Sequence, residues 1–320
     1  VDVRLGAAAR AGDLALGPAT VARAARVLWV RSRREATSWL VGGYASAFRG
    51  GGVEFEELRP YAPGDDVRAI DWNATARTGE PWVKRFREER AHTVLVLLDA
   101  SASMAFGTAG RSKLGVAAHA AALVAAAAGR AGDRVGLAVF SDHVRAALPP
   151  ARGAAHGWRL VRAVAAEAAR PGGATDLAAA AGWALGEARR RALVVLLSDF
   201  RDAALARASG GGGGTPLAGL AGRHELVSIL VEDPRERALV AAGGLRLVDP
   251  ERGGAPHLLG TGTRRRARYA AAAEAHRRAL VQRLRSQGAD VLPLSTAADP
   301  LRALVRFFRA RADRRRGVWR

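Results

Sequence analysis

The run Val94-Leu95-Val96-Leu97-Leu98, followed at once by Asp99-Ala100-Ser101-Ala102-Ser103, limits the fold of this chain more than any other stretch. Five aliphatic residues without a polar interruption read as a strand buried on both faces, the environment of a parallel sheet. Open parallel sheets bind ligands in the crevice beyond the carboxyl ends of their strands. A carboxylate and two hydroxyls at alternate positions there make a hard, oxygen-only cluster, suited to a cation such as Mg²⁺.

From residue 91 onward the pattern alternates. Strands are predicted over 93–98, 134–140, 144–148, 192–197 and 225–231, and helices over 112–128, 154–169, 176–190, 202–208 and 216–221. Strands separated by helices imply a mostly parallel sheet covered on both faces. A hairpin (245–248 with 257–259), a long basic helix over 263–286, a strand over 290–294 and a terminal helix over 300–312 follow. Ahead of the alternation, loose helical periodicity over 14–40 marks an amphipathic helix. The turn Gly50-Gly51-Gly52 then opens a block over 53–90, in which 53–59 and 82–88 alternate as strands. The expected class is α/β: a doubly wound, mostly parallel sheet flanked by helices, with an N-terminal β-rich extension and a C-terminal helical tail. The expected divisions are 1–52 (helical segment and linker), 53–90 (β-rich block), 91–312 (sheet domain) and 313–320 (basic tail).

Composition removes several function classes. The chain has no cysteine, so disulfides, thiolate metal sites and cysteine nucleophiles are excluded. No apolar segment approaches the roughly 18–20 residues needed to span a bilayer, and no signal-peptide pattern opens the chain; a cytoplasmic location is expected. The net charge is +20 and lies at the ends: residues 1–50 contribute +5 and residues 261–320 contribute +12. Attraction to nucleic acid or another anionic surface is therefore a second reading.

One carboxylate and two hydroxyls cannot complete an octahedron, so other strand ends must contribute oxygens. Thr175 lies in a glycine-rich loop entering a helix, and Asp199 directly follows the apolar run 193–197. Each taken alone reads as a helix cap, as Asp176 and Asp202 also do. Three oxygen sites in three loops on one sheet edge favour a metal site made of Asp99, Ser101, Ser103, Thr175 and Asp199. Asp65, Asp66, Asp71 and Trp72 have two readings: a partner surface, or turn-closing acids beside a core tryptophan.

Asp-x-Ser-x-Ser, a later Thr after a glycine-rich turn and a later Asp after a strand resemble the metal-ion-dependent adhesion site of von Willebrand factor A domains. Further stretches sharpen the likeness: Glu54-Phe55-Glu56-Glu57-Leu58-Arg59-Pro60-Tyr61, Pro63-Gly64-Asp65-Asp66-Val67-Arg68 with Ile70-Asp71-Trp72, and Ala76-Arg77-Thr78-Gly79. With Phe140-Ser141-Asp142, Ser198-Asp199-Phe200 and Asp233-Pro234-Arg235-Glu236, they resemble the bacterial domain-of-unknown-function family fifty-eight over about residues 40–312. The resemblance implies a von Willebrand factor A-like fold, Mg²⁺ or another divalent cation as cofactor, and a MoxR-type AAA+ ATPase as partner. It also implies that Ser101, Ser103 and Thr175 offer hydroxyls, while Asp99 and Asp199 act directly or through water.

Other signals fail. Residues 107–113 lack the Gly-Lys-Ser/Thr ending of a phosphate loop, and His224-Glu225-Leu226-Val227-Ser228 is not a zinc-protease helix. No paired general base stands beside the expected ligands. The leading expectation is a non-enzymatic, Mg²⁺-dependent protein-interaction module that binds a partner's carboxylate. The alternatives are an anionic-surface binder working through the arginine-rich ends, and a metal-assisted phosphoesterase.

Overall fold

The structure, a computed structural model, describes residues 18–36, 40–42, 44–45, 54–63, 65–67, 70–87, 92–207, 215–251, 253 and 255–317. The glycine turn at 50–52, the glycine run at 210–214, Gly64 and Arg68 of the acidic block, and the last three residues of the expected basic tail lie outside these.

In chain order the elements begin with α1 (Pro18–Glu35), β1 (Glu54–Pro60), α2 (Trp72–Thr78) and β2 (Trp82–Arg87). Then come β3 (Thr93–Asp99), α3 (Lys113–Arg130), β4 (Arg134–Phe140), β5 (Val144–Ala151), α4 (Ala154–Ala168), α5 (Leu177–Glu187) and β6 (Leu193–Ser198). The chain continues through α6 (Ala203–Arg207), α7 (Pro216–Arg223), β7 (Glu225–Glu232), α8 (Pro234–Arg237), β8 (Gly244–Leu247) and β9 (His257–Gly260). It closes with α9 (Thr263–Ser286), β10 (Asp290–Ser295) and α10 (Pro300–Gly317).

One six-stranded sheet, in the order β10-β7-β6-β3-β4-β5, forms the centre. All neighbours pair in parallel except β5, which turns back antiparallel on β4 and forms an edge. The edge position explains why β5 runs past the expected 148: Pro149 and Pro150 offer no amide to a ladder, and only an edge strand tolerates that. Period-two alternation divides the central strand between two cores. Val94, Val96 and Leu98 face α3, α4 and α10, whereas Leu95 and Leu97 face α5, α7 and the Leu284 end of α9. Helix α3 is buried along most of its length. Alanine suits it doubly, being the best helix former and small enough to let the helix sit close on the sheet.

Helix α1 lies across α3 and α4, as its amphipathic pattern requires. Trp29 stands edge-on to Trp158 with ring centroids 6.3 Å apart, and Glu35 meets His119 of α3 at 2.8 Å. In the 53–90 block both expected strands form, and β1 and β2 pair antiparallel. Helix α2 between them was not expected; Asp71 starts it by accepting the amides of Asn73 and Ala74. Helix α10 runs beyond the expected 312 to Gly317, taking in the first part of the basic tail. Among the described residues no helix is long and apolar enough to cross a membrane.

Candidate metal centre

Asp99 ends β3 and is wholly buried at the carboxyl edge of the sheet. Its Oδ1 accepts the Ser101 amide at 2.8 Å, and its Oδ2 accepts the Ser198 hydroxyl at 2.5 Å. The chain then leaves the strand in a 3-10 turn, Ala102–Ala105, which brings the Ser101 and Ser103 hydroxyl oxygens to 3.2 Å from each other. Two backbone bonds of 3.0 Å, Ala102 N to Gly173 O and Gly172 N to Ala100 O, staple this turn to the loop entering α5. Gly173 has φ +79°, and a Cβ there would stand 3.0 Å from side-chain oxygens of Ser141 and Asp142. Glycine suits both the dihedral and the space.

That loop delivers Thr175. Asp176 caps α5 by accepting the amides of Ala178 and Ala179, so the threonine hydroxyl is left to the site. Its Oγ1 lies 3.0 Å from Ser101 Oγ, 3.4 Å from Asp99 Oδ2 and 3.0 Å from Glu251 Oε1. The Ser101 hydroxyl can donate to Thr175, but the single threonine hydrogen still faces two carboxylates, Asp99 and Glu251. The crowded lone pairs are the environment a cation relieves. In an octahedral Mg²⁺ shell, with Mg–O near 2.1 Å, adjacent oxygens stand about 3.0 Å apart, close to the spacings here. The donor set fits a hard divalent ion.

Asp199 follows β6 and precedes Phe200, the one non-glycine residue with positive φ (58°) among those described. A bulky residue in that conformation costs about 1 kcal/mol or more, the kind of strain that gathers at functional sites. The Asp199 carboxylate meets no hydroxyl of the cluster. Instead Lys113 Nζ lies 2.5 Å from Asp199 Oδ2 and 2.7 Å from Glu236 Oε1, with the lysine side chain fully buried. Arg201 extends the network to Glu236 at 2.9 Å and Asp199 at 3.5 Å. Burial, reinforced by the charge of Asp199, pushes the Asp99 carboxyl up to about 7 against the hydrogen bonds of Ser198 and Ser101.

Of the five expected ligands, Asp99, Ser101, Ser103 and Thr175 therefore converge, and Asp199 stands beside them in an ion pair. Among the described residues no three histidines or acids form a metal-holding group, since the donors here are mainly hydroxyls. Sequence reading missed Ser198, Lys113, Glu236 and Glu251. Lys113 did leave a signal: it opens α3, where the helix dipole disfavours a positive charge. The acids Asp199 and Glu236 beside it offset that cost.

The acidic block is engaged in local structure. Asp65 accepts Arg59 at 2.6 Å and the Ala62 amide at 2.9 Å, closing the turn, while Asp71 caps α2. Asp66 is exposed, and Trp72 is 70 % exposed rather than a core residue. Its place in the first turn of the unexpected α2 carries the indole outward.

A family profile described as "Protein of unknown function DUF58" matches residues 57–279. The chain belongs to the DUF58 family. Uncharacterized proteins of Mycobacterium tuberculosis and Mycobacterium bovis are 34% identical to it over 299 residues, covering 93% of this chain and 91% of each relative. A shorter uncharacterized protein of Mycobacterium avium is 35% identical over 171 residues, which is 53% of this chain and 95% of that one. Among solved structures, an aerotolerance-related membrane protein from Bacteroides fragilis aligns with 16% identity and a TM-score of 0.46, covering 70% of this chain and 100% of that chain. The PilB minor pilin from Streptococcus sanguinis aligns with 13% identity and a TM-score of 0.35, covering 75% and 64%. Within this DUF58 chain the matched segment holds Asp99, Ser101, Ser103, Thr175 and Asp199 together with Glu236 and Glu251.

Proposed function

We propose that this chain is a von Willebrand factor A-like, divalent-metal-dependent protein-interaction module that recruits a partner through a carboxylate. The observation that carries the reading is the convergence of Asp99, Ser101 and Ser103, from the end of β3 and its turn, with Thr175 from the loop entering α5, their oxygens at ligand-shell spacing. These four side chains would hold the ion, and Asp199, fixed by Lys113, would add negative charge from beside them. When bound, a hard divalent ion supplies an electrophilic corner for an incoming acid.

The chain's own residues do the rest. Ser198 and the Ser101 amide orient the Asp99 carboxylate, and Gly173 lets the Thr175 loop approach. Lys113, itself buried, holds Asp199 and the partly exposed Glu236 in place. The Ser198 hydroxyl is committed to orienting Asp99 and the Asp199 carboxylate to Lys113, which favours binding over catalysis. A MoxR-type AAA+ ATPase, the partner class the family resemblance implies, is the first to assay.

Calorimetric titration of the full chain with Mg²⁺ tests the reading. One ion is expected to bind per chain, and Asp99→Ala should lower the affinity by at least about tenfold, since ligand charge sets affinity at oxygen sites. Retention of a MoxR-type ATPase should then require Mg²⁺ and fail in EDTA. Absence of Mg²⁺ binding by the unaltered chain at millimolar concentration would remove the metal from the account.

A further inference from the structure

The β8–β9 hairpin stands outside the central sheet as a separate two-stranded arm. Between its strands, Glu251 is set in a turn in which its amide donates to Asp249 Oδ1 at 2.9 Å. Its carboxylate then reaches Thr175, with Oε1 at 3.0 Å from the hydroxyl. The arm and α9 border an open cleft of about 820 Å³, whose wall includes Ser103, Thr175, Asp199 and Glu251. The arm is an unusual place for apolar residues: Val248 is 55 % and Leu258 85 % exposed. Leu245 of β8 is buried and seats the arm, Val248 and Leu258 add little burial to it, and the Glu251 contact is its polar tie to the sheet edge.

We propose that Glu251 is a ligand the chain supplies to its own metal site, so that the β8–β9 arm closes the corner a partner's acid would otherwise take. The inference rests on the metal reading above and adds a residue to it. Charge favours it: the four converging residues bring one carboxylate among three hydroxyls, and hard divalent sites gain affinity with each further carboxylate. Distance favours it as well, because Glu251 already touches the same Thr175 oxygen that lies against Asp99 and Ser101. A partner's acid would compete with Glu251, and on displacing it would loosen the outer part of the arm, where Val248 and Leu258 are exposed, while Leu245 stays buried.

The test compares the full chain with Glu251→Ala, using Mg²⁺ as the probe. Calorimetry reads affinity, and hydrogen exchange of the amides in residues 244–260 reads the arm. In the unaltered chain, Mg²⁺ should slow exchange in the arm several-fold. In Glu251→Ala it should leave the arm unchanged and bind about tenfold more weakly, with acetate at tens of millimolar restoring part of the affinity. Rescue by acetate would separate a missing ligand from a damaged fold. Equal Mg²⁺ affinity in both proteins with no change in arm exchange would overturn the inference and leave the metal site standing. Failure of the unaltered chain to bind Mg²⁺ would overturn both.

Discussion

Lys113 has a fully buried ammonium between two acids, and what happens on removing it can be reasoned from charge alone. Breaking a buried ion pair from one side strands the other charge, at about 3–5 kcal/mol. Lys113→Met should lower the unfolding free energy by that order in denaturant titration, and adding Asp199→Asn should recover much of the loss. Asp99 makes the complementary case. Its carboxyl, raised from 3.8 to about 7 by burial and by Asp199, binds a proton more tightly folded than unfolded. The metal-free chain should therefore be most stable below pH 3.8 as far as this group is concerned, and lose that contribution as pH rises to about 7. The total is about 4 kcal/mol at most. Stability curves measured in EDTA across this range should be flatter for Asp99→Asn. An unchanged slope would show that Asp99 is ionised without cost.

At the scale of elements, the site depends on how the loop after β3 is fastened. Asp233, buried at the end of β7, accepts the Thr108 amide at 2.8 Å, the Thr108 hydroxyl at 2.5 Å and the Thr296 hydroxyl at 2.7 Å. The loop between Ser103 and α3 is thereby tied to the ends of β7 and β10. Within it, a Cβ on Gly107 would stand 2.1 Å from the Arg111 carbonyl oxygen and 2.5 Å from the Ser112 Cα. Those are backbone atoms and cannot swing aside. Gly107→Ala should cost about 1–3 kcal/mol, the range of an overpacked position, and should weaken Mg²⁺ binding because the loop carries Ser101 and Ser103. A thermal melt and a Mg²⁺ titration of this variant check both expectations. Retained stability with intact Mg²⁺ affinity would show that the loop can move without disturbing the site.

Over the whole molecule, the two ends of the chain share one core. Phe308 of α10 is fully buried and stands edge-on to Tyr44, with centroids 5.9 Å apart. The Tyr44 hydroxyl donates to Asp133, ahead of β4, at 2.8 Å. Tyr44, from the expected N-terminal segment, and Phe308, from within the expected sheet domain, belong to the same packed face of the sheet. Phe308→Ala should cost about 3–5 kcal/mol, lowering the midpoint of one cooperative transition. A second, independent transition would instead show that α10 unfolds alone. The basic C-terminal region is also partly consumed by structure: Arg277 pairs with Glu232 at 3.0 Å, and Arg311 pairs with both Glu225 and Asp290. Its formal charge overstates what is available to an anionic partner.

Much of this was legible in the residues themselves. Continuous apolar runs gave the parallel strands, because a strand buried on both faces has no polar alternation to hide it. Oxygen-bearing residues after an apolar strand gave Asp99, Ser101 and Ser103, and a glycine-rich loop entering a helix gave Thr175, because the carboxyl edge of such a sheet is where loops meet. Other features depended on distance in space. Trp72 lies outside because Asp71 caps a short helix, and no pattern marked that helix. Asp199 turns to Lys113, 86 positions away, and Thr175 receives Glu251, 76 positions away, through contacts that exist only once the sheet has closed. Local chemistry chose the strands and the oxygens; tertiary packing chose which charges face one another, since Coulomb attraction acts through space and not along the chain.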